Sequence, residues 1–311
     1  MVIITGAFGF IGSVLIGFLN GEGVENIICV DNLGNEDKWK NISGKKIQDI
    51  ICPDQLFDFI TRNKKDIEII IHMGACASTT EQDMDFLLKN NYQYSQAVYN
   101  ACLLHEIRLI YASSASSYGN GVNGFCDDNL DLMPLNKYGY VKHIFDVWVK
   151  AQPPLKQCVG LKFFNVYGPN EYHKNEMRSV IYNFYKDIAA NGNVNIYGAD
   201  GSQSRDFVYI LDVVKVIYFF MQNQSKNGLY NVGSGNATDF NMLSEEIFNV
   251  LHVAKNISYT PYPDNLEAIY QKYTKADIGK LRNAGYNETF TTICEGIKDY
   301  VKNYLVNGLY Y

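Results

Sequence analysis

Three glycines directly follow the first predicted strand, and their spacing limits what this chain can fold into more than any other feature of the sequence. The strand is predicted over Val2–Thr5, and Gly6, Gly9 and Gly12 open the first predicted helix. Glycine at such positions lets the backbone turn tightly and approach a pyrophosphate, which then binds at the helix N-terminus. The spacing is G-x-x-G-x-x-G instead of the common G-x-G-x-x-G, so the segment predicts a variant dinucleotide-binding unit.

Short apolar runs alternate with amphipathic stretches through the first half of the chain. The predicted strands are Val2–Thr5, Ile27–Val30, Ile47–Ile50, Ile67–His72, Arg108–Ala112 and Val159–Phe164. The predicted helices are Ile11–Asn20, Pro53–Asn63, Asp83–His105 and Tyr138–Ala151. Such alternation is typical of a parallel sheet covered on both faces. We therefore predict an α/β fold with a Rossmann-type doubly wound parallel sheet, whose ligand crevice lies at the carboxyl ends of the strands.

The pattern changes after Asn165, where loops lengthen and strands shorten. Further strands are predicted at Val194–Tyr197, Phe207–Ile210, Tyr230–Val232 and Ile257–Tyr259, and helices at Glu176–Asn191, Leu211–Gln222, Asn241–His252, Lys275–Ala284 and Thr291–Tyr304. We predict a dinucleotide-binding domain over residues 1–166, with later returns to its sheet near 207–233 and 272–285. Residues 167–311 then form mainly a smaller, interleaved substrate-binding lobe.

Composition narrows the class of ligand and the compartment. The net charge of −6 argues against non-specific nucleic-acid binding, which needs a basic surface. The seven cysteines are odd in number and include no C-x-x-C pair, so neither a disulfide framework nor a zinc ribbon is expected, and a reducing cytoplasm fits best. No histidines stand at metal-ligand spacing, and no metal is predicted. There is no apolar run of about 20 residues, so no membrane span is predicted.

An acidic residue ends the second predicted strand. Asp31 follows the glycines by about 20 residues, where a carboxylate would hold the hydroxyls of the adenosine ribose. That position favours NAD. Lys38 follows in the next loop and could pair with the 2′-phosphate of NADP, or could be a solvated loop charge.

A tyrosine and a lysine with helical spacing point to acid–base chemistry. Tyr138 and Lys142 stand at i and i+4 and share one helix face, whereas Tyr140 does not have this spacing. The lysine can lower the pKa of the phenol, which then removes a hydroxyl proton as general base. Ser114, in a serine-rich run after a predicted strand, can hydrogen-bond the reacting oxygen; the alternative is a polar, helix-capping loop.

These motifs, in this order, resemble the extended short-chain dehydrogenase/reductase family of nucleotide-sugar enzymes. The resemblance implies a catalytic set of Ser114, Tyr138 and Lys142. It also implies cofactor contacts at Gly6, Gly9, Phe10, Ile11, Gly12, Asp31, Asn32, Lys38, Asp49, Met73, Gly74, Ala75, Cys76, Ala77, Asn90, Asn91, Tyr138 and Lys142.

Longer runs are similar to one branch of this family, the epimerases that invert carbon 6 of an ADP-linked manno-heptose through a transient ketone. The runs are His72–Glu81, Asn90–Ser95, Lys162–Pro169, His173–Lys174 and Arg205–Tyr209, and the likeness extends from the first strand to Tyr300. It implies one tightly bound dinucleotide per subunit. Because Lys38 matches that branch, the dinucleotide is expected to be NADP, with NAD as the alternative. It further implies a homo-oligomer resembling a pentamer, and a product that serves lipopolysaccharide core assembly.

The same likeness implies the residues that handle the sugar. Lys174 is then a second acid/base, although it could instead only bind the diphosphate. The implied contacts to the ADP-sugar are Asn165, Val166, Lys174, Tyr197, Arg205 and Tyr270. Arginine is also by its chemistry a natural partner of a diphosphate or a stacked adenine. The alternative for Arg205 is a surface charge pair with Asp206.

Other functions remain open from the sequence. Glu176 and Arg178 depart from the branch pattern just after Lys174. A UDP-hexose 4-epimerase or a 4,6-dehydratase is the nearest alternative, but a dehydratase would want an acidic residue beside Ser114, where Ala115 stands. A non-catalytic NADP sensor of the same fold is less consistent with the sequence, because such a protein tends to lose the tyrosine or the lysine.

Overall fold

The computed structural model describes residues 1–34, 37–153, 157–198, 200–262 and 270–311. The strands in chain order are β1 (Val2–Thr5), β2 (Ile27–Val30), β3 (Asp49–Ile51), β4 (Ile69–His72), β5 (Arg108–Ser114), β6 (Cys158–Phe163), β7 (Asn165–Tyr167), β8 (Val194–Tyr197), β9 (Ser204–Tyr209), β10 (Gly228–Val232), β11 (Ala237–Asp239) and β12 (Ile257–Thr260). The α-helices are α1 (Phe10–Gly21), α2 (Leu56–Asn63), α3 (Met84–Leu87), α4 (Tyr94–His105), α5 (Lys137–Ala151), α6 (Val180–Asn191), α7 (Ile210–Gln222), α8 (Phe240–Leu251), α9 (Gly279–Asn283) and α10 (Ile293–Asp299).

A seven-stranded sheet organises the molecule, with strand order β10-β6-β5-β4-β1-β2-β3. All of its neighbouring strands run parallel. The order reverses direction between β1 and β4, and such a switch point opens a crevice at the carboxyl ends of the strands. The predicted α/β fold with a doubly wound parallel sheet is confirmed.

The two faces of the sheet are covered by different helices. Along β1, Ile4 packs into a cluster that includes Leu15 of α1 and Val214 of α7. Its neighbour Ile3 points the other way, into a cluster that includes Ile60 of α2. Alternate residues of a strand point to opposite faces, so a strand buried on both faces needs a continuous apolar sequence, as β1 and β2 have.

The register aligns the carboxyl ends of the strands along one edge. Thr5 lies beside both Val30 and His72, and Ser114 lies beside Phe163. The glycine turn, the loop after β4 and the serine run after β5 therefore leave the sheet at the same edge.

The remaining strands form two small sheets, β11-β9-β7 and β12-β8. The later part of the chain returns to the main sheet through β10, which pairs with β6, while β9 lies in the three-stranded sheet. Strand β9 covers most of the predicted strand Phe207–Ile210, so the return that we predicted near 207–233 begins only after that strand. The division of the chain at residue 166 into two lobes stays a prediction.

Several predicted helices have different bounds. The predicted helix Asp83–His105 is α3, then a π-helical segment Leu88–Gln93, then α4. The predicted helix Glu176–Asn191 starts later, at Val180, because the Ser179 side chain caps the amide of Tyr182. The predicted helix Lys275–Ala284 is reduced to the short α9.

Two further observations bear on the class of protein. Within the described ranges, no helix has both the length and the apolar sequence needed to cross a bilayer. All seven cysteines fall in those ranges and are free.

Candidate active site

The glycine turn needs its glycines for two separate reasons. Gly6 has a φ of 64°, and a Cβ there would lie 2.7 Å from the Cα atom of Gly74 in the loop after β4. A Cβ on Gly12 would lie 2.3 Å from the carbonyl oxygen of Gly6. Gly9 forms the N-cap of α1 and has no side chain to cover the first amides of that helix. The N-terminus of α1 is therefore open to an anion such as a dinucleotide diphosphate.

Asp31 and Lys38 form an ion pair beside this turn. Asp31 directly follows β2, and its Oδ2 accepts a hydrogen bond from the Phe8 amide at 2.9 Å. Lys38 Nζ lies 2.5 Å from Asp31 Oδ1, and the Lys38 side chain is only 20% exposed. The Asn32 amide also donates to Oδ1, at 2.8 Å. Lys38 is thus not a freely solvated loop charge: it partly neutralises the carboxylate that faces the glycine turn.

Asp49 lies apart from this group. It is the exposed first residue of β3, and its carboxylate accepts the amide of Ile50 at 2.8 Å. The register pairs Ile51, not Asp49, with Val30 at the carboxyl edge. The strand was predicted at Ile47–Ile50, which would have put Asp49 next to the edge. The actual strand starts two residues later and leaves Asp49 away from the crevice.

Asn91 holds the loop Met73–Ala77. Its Oδ1 accepts from the Cys76 amide at 2.8 Å, and its Nδ2 donates to the Cys76 carbonyl at 2.9 Å. Asn90 instead donates to the Phe86 carbonyl of its own helix. Both asparagines lie in the π-helical segment Leu88–Gln93, and π turns frequently occur at functional sites.

Tyr138, Ser114 and Lys142 come together at the carboxyl end of β5. Helix α5 begins there because Asn136 Oδ1 accepts the Gly139 amide at 2.8 Å. Tyr138 is half-buried and hydrogen-bonds the Ser114 side chain. Tyr140 is 48% exposed, which supports Tyr138 as the candidate acid/base.

The electrostatics of this set differ from the sequence prediction. Burial raises the pKa of Tyr138, and the hydrogen bond with Ser114 opposes that rise. Lys142 Nζ donates to the Ala112 carbonyl at 2.9 Å. Burial lowers the pKa of Lys142 to about 8, against the attraction of Asp146. We predicted a phenol pKa lowered by the lysine, but in the protein alone the burial of the phenol outweighs any such effect.

Lys174 lies beside the start of α1, next to the glycine turn. It lies in the 3₁₀ segment Tyr172–Met177, and its Nζ is 5.1 Å from the centroid of the Phe10 ring, the first residue of α1. Burial lowers the pKa of Lys174, and Glu171 partly opposes this shift. The segment also touches the loop after β4, since Thr79 Oγ1 lies 3.7 Å from Met177 Sδ.

Arg205, on β9, lies in an aromatic cluster. Its guanidinium is 4.3 Å from the centroid of Tyr270, whose ring is 5.1 Å from that of Tyr262. Tyr197 stacks on Tyr262 at 6.3 Å. The sequence did not single out Tyr262, because only its neighbours in space identify it.

The predicted alternative for Arg205, a surface pair with Asp206, is wrong. Asp206 is fully buried and accepts hydrogen bonds from the amides of Ser234, Gly235 and Ala276. Gln271 connects the Arg205 cluster to the serine run: its carbonyl accepts from Arg205 Nε at 2.9 Å, and its Nε2 donates to the Gly119 carbonyl at 2.6 Å. Asn165 and Val166 open β7, directly after β6 ends at the crevice.

Lys162 and Asp146 form a buried ion pair near Lys142, and we did not predict this pair from the sequence. Lys162 Nζ is 3.0 Å from Asp146 Oδ2, and neither side chain is exposed. Asp146 also accepts the Ser113 hydroxyl at 2.7 Å. Helical spacing contained the signal, since Tyr138, Lys142 and Asp146 stand at i, i+4 and i+8 on one face of α5.

Together these elements define a Rossmann-type nucleotide enzyme with a tyrosine–lysine pair at the crevice. The sequence pattern of the "NAD dependent epimerase/dehydratase family" matches residues 2–233. The chain belongs to this family.

Two curated relatives are similar over nearly the whole chain. ADP-L-glycero-D-manno-heptose-6-epimerase of Nitratidesulfovibrio vulgaris is 43% identical over 98% of both chains. The protein of the same name from Fusobacterium nucleatum is 44% identical over 98% of both chains.

Two solved structures are similar in fold. The ADP-L-glycero-D-manno-heptose-6-epimerase of Helicobacter pylori is 29% identical with a TM-score of 0.84, covering 97% of this chain and 95% of that one. The UDP-N-acetylglucosamine 4-epimerase of Methanobrevibacter ruminantium, in complex with UDP-N-acetylmuramic acid, is 25% identical with a TM-score of 0.87, covering 99% and 98%.

Proposed function

We propose that this chain converts ADP-D-glycero-D-manno-heptose to ADP-L-glycero-D-manno-heptose by inverting carbon 6 through a transient ketone. The observation that carries the proposal is the identity of 42–44% over nearly all of the chain to enzymes of that name. The geometry supports it, because inversion of one carbon moves its oxygen between two positions and two proton-exchanging side chains border one crevice here.

Tyr138 exchanges a proton with the oxygen on carbon 6 when that oxygen occupies one of its two positions. Its phenol hydrogen-bonds Ser114, whose hydroxyl oxygen also accepts the Ser116 amide at 3.2 Å. Ser114 is therefore held in place to share a hydrogen bond with the hydroxyl or ketone oxygen of the sugar. Lys142, fixed on the Ala112 carbonyl, places a positive charge that stabilises the phenolate when Tyr138 has given up its proton.

Lys174 serves the other position. It approaches from a different element, beside Phe10 at the start of α1. An amine whose pKa is lowered by burial exchanges protons more readily near neutral pH than an exposed lysine. Lys174 thus gives or takes the proton at the oxygen when the sugar presents its opposite face.

The Arg205 cluster is proposed to hold the ADP part of the substrate. A guanidinium on a tyrosine ring offers charge to a diphosphate and a flat surface to adenine. Through Gln271 the cluster is joined to the serine run, so binding of the nucleotide is mechanically linked to the position of Ser114. Asn165 and Val166, which open β7 beside β9, complete the proposed contacts.

The cofactor of the proposal is NADP. Bound in the crevice, a nicotinamide dinucleotide supplies hydride chemistry at carbon 6 without net redox change. The glycine turn and the open N-terminus of α1 fit its diphosphate. The Asp31–Lys38 pair favours NADP over NAD, because Lys38 reduces the repulsion between Asp31 and a 2′-phosphate and offers a cation to it.

The cofactor can be identified directly. Freshly purified protein is denatured and the released dinucleotide is identified by mass spectrometry. NADP is expected, and Lys38→Ala should shift the preference toward NAD, since a hydrogen bond to a charged group contributes about 1.5–3 kcal/mol. Release of NAD alone would remove NADP from the proposal and leave the epimerase activity untouched.

The reaction has its own test. The protein is incubated with ADP-D-glycero-D-manno-heptose and, separately, with UDP-galactose, and the epimers are resolved chromatographically. Inversion of the heptose alone is expected. Conversion of UDP-galactose without any change in the heptose would replace the proposal by a UDP-hexose 4-epimerase.

The likeness supports three further parts of the proposal. The chain forms a homo-oligomer resembling a pentamer, acts in the cytoplasm and supplies heptose for the lipopolysaccharide core. A separate part of the proposal divides the chain at residue 166, so that residues 1–166 bind the dinucleotide and residues 167–311 mainly bind the sugar. Mass determination in solution tests the first part.

A further inference from the structure

We propose that His72 is a positioning residue, which fixes the loop Met73–Ala77 at the edge of the dinucleotide site through a hydrogen-bond chain with a defined direction. This inference rests on the family's dinucleotide and not on the sugar, so it holds whether or not the heptose is the substrate.

The hydrogen-bond chain passes through the end of β4 and reaches β1 on one side and α4 on the other. His72 is the last residue of that strand and is 4% exposed. Its Nδ1 lies 2.6 Å from Thr5 Oγ1 on β1, and its Nε2 lies 2.9 Å from Ser95 Oγ on α4. Thr5 Oγ1 also accepts the Gly74 amide at 3.0 Å, and Ser95 Oγ donates to the Asn91 carbonyl at 2.7 Å.

These contacts determine which nitrogen carries the proton. A carbonyl oxygen only accepts, so Ser95 donates its single hydroxyl proton in a hydrogen bond to the Asn91 carbonyl. Ser95 Oγ must then accept from His72, which places the proton on Nε2. In a neutral ring Nδ1 is consequently an acceptor, and it accepts a hydrogen bond from the Thr5 hydroxyl. Thr5 Oγ1 in turn accepts the amide of Gly74, and the chain has one consistent direction throughout.

The His72 ring is uncharged near neutral pH. Burial, and to a lesser extent the charge of Lys142, lower the pKa of His72 to about 3. A second proton on Nδ1 would reverse the hydrogen bond to Thr5, so the Thr5 hydroxyl proton would lose the acceptor that it has on the ring. The chain therefore keeps a single arrangement across the neutral range.

The hydrogen-bond chain holds the loop Met73–Ala77 at two points. At one end Thr5 holds the Gly74 amide, and Gly74 packs so closely on the glycine turn that a Cβ on Gly6 would overlap it. At the other end Ser95 bonds to Asn91, whose side chain holds both backbone groups of Cys76. Cys76 is close enough to Tyr138 and Lys142 to influence the pKa of each. His72 thus links the glycine turn to the loop that faces the tyrosine–lysine pair.

The test measures cofactor binding without any sugar. Protein freed of its dinucleotide is titrated calorimetrically with NADP and, separately, with NAD. Ser95→Ala breaks the chain without changing the ring, and we expect the dissociation constant of the preferred dinucleotide to rise roughly tenfold, which corresponds to about 1.4 kcal/mol. The matched control is Ser244→Ala, which removes a similarly buried serine hydroxyl that donates to the Asn241 carbonyl on α8 in the other lobe. It should leave the dissociation constant unchanged.

A second arm examines the ring itself. The ¹⁵N shifts of His72 in the complete enzyme with bound dinucleotide, assigned by their loss in His72→Gln, should show a neutral ring protonated at Nε2. Since glutamine keeps one donor and one acceptor, His72→Gln should weaken binding less than His72→Phe. A proton on Nδ1 would overturn the proposal. So would a Ser95→Ala protein that is less stable yet binds both dinucleotides like the wild type, because that result assigns the chain to folding alone.

Discussion

Tyr138 and Tyr140 stand two positions apart on α5 and face different surroundings. Tyr138 reaches Ser114, whereas Tyr140 is about half exposed. We expect Tyr138→Phe to reduce kcat by at least the 10²–10⁴-fold that general acid–base catalysis typically supplies, because the reacting oxygen loses its proton donor. Cofactor content, measured by absorbance of the released dinucleotide, should not change. Tyr140→Phe is the matched control; if it is inactive while Tyr138→Phe turns over normally, the assignment is reversed.

Lys174 is the residue on which the two-base mechanism depends. A proton-exchanging role predicts that Lys174→Met lowers kcat by orders of magnitude and changes KM little, because the side chain then acts on the transition state. A role in binding the diphosphate predicts a raised KM with kcat nearly kept. Steady-state kinetics on the heptose substrate separate the two, and the second pattern would leave Tyr138 as the sole acid/base.

Helix α1 allows the glycine argument to be tested within one element. Gly12→Ala places a methyl group 2.3 Å from the Gly6 carbonyl, against rigid backbone, whereas Gly21 has open space around its Cβ position. We expect Gly12→Ala to lower the free energy of unfolding by about 1–3 kcal/mol and to weaken dinucleotide binding. Gly21→Ala should instead be neutral or stabilise by about 0.5–1 kcal/mol, because alanine loses less entropy in a helix. Urea titration and calorimetry compare them; equal effects would contradict the close-approach argument.

The elements predicted well from sequence are those whose own residues determine them. Strands β1 and β2 are short continuous apolar runs, helices α1 and α7 are largely apolar, and these local patterns were sufficient to predict all four. Strands β7 and β11 have three residues each, too few to show an alternation, and they form only because β9 lies between them. The π-helical segment Leu88–Gln93 likewise has no local signature, so the sequence could not separate the roles of Asn90 and Asn91.

At the scale of the whole molecule, the site depends on contacts between distant parts of the chain. Asn41 Nδ2 donates to the Phe8 carbonyl at 2.9 Å and lies 3.1 Å from His173 Nδ1, beside Lys174. Gln271 joins the serine run to Arg205 on β9. The motifs predicted which residue types would line the crevice, but long-range partners such as these do not follow from spacing along one sequence. Family resemblance supplied the roles of Lys174 and Arg205, whereas the roles of Asn41, His72 and Gln271 follow only from their contacts in the fold.

Two histidines with lowered pKa values should make the stability of the whole molecule fall at acidic pH. Burial lowers the pKa of His72 to about 3 and that of His173 to about 4, from the ordinary 6.5. Below pH 6.5 the unfolded chain therefore binds protons that the folded protein does not, and stability is lost as the pH falls from about 6.5 toward the folded pKa values. Each such group contributes a slope of up to about 1.4 kcal/mol per pH unit in that window.

The difference between the wild type and His72→Gln isolates one of these groups, because contributions from the carboxylates and from His173 largely cancel. We expect the free energy of unfolding of the wild type to fall faster than that of the variant by about 1 kcal/mol per pH unit between pH 6 and pH 5, and the two to run parallel above pH 7. Urea unfolding at pH 7.5, 6, 5.5 and 5 measures both curves. Parallel curves over the whole range would mean that His72 gains a proton in the folded protein as easily as in the unfolded chain, which is incompatible with a neutral ring held between Thr5 and Ser95.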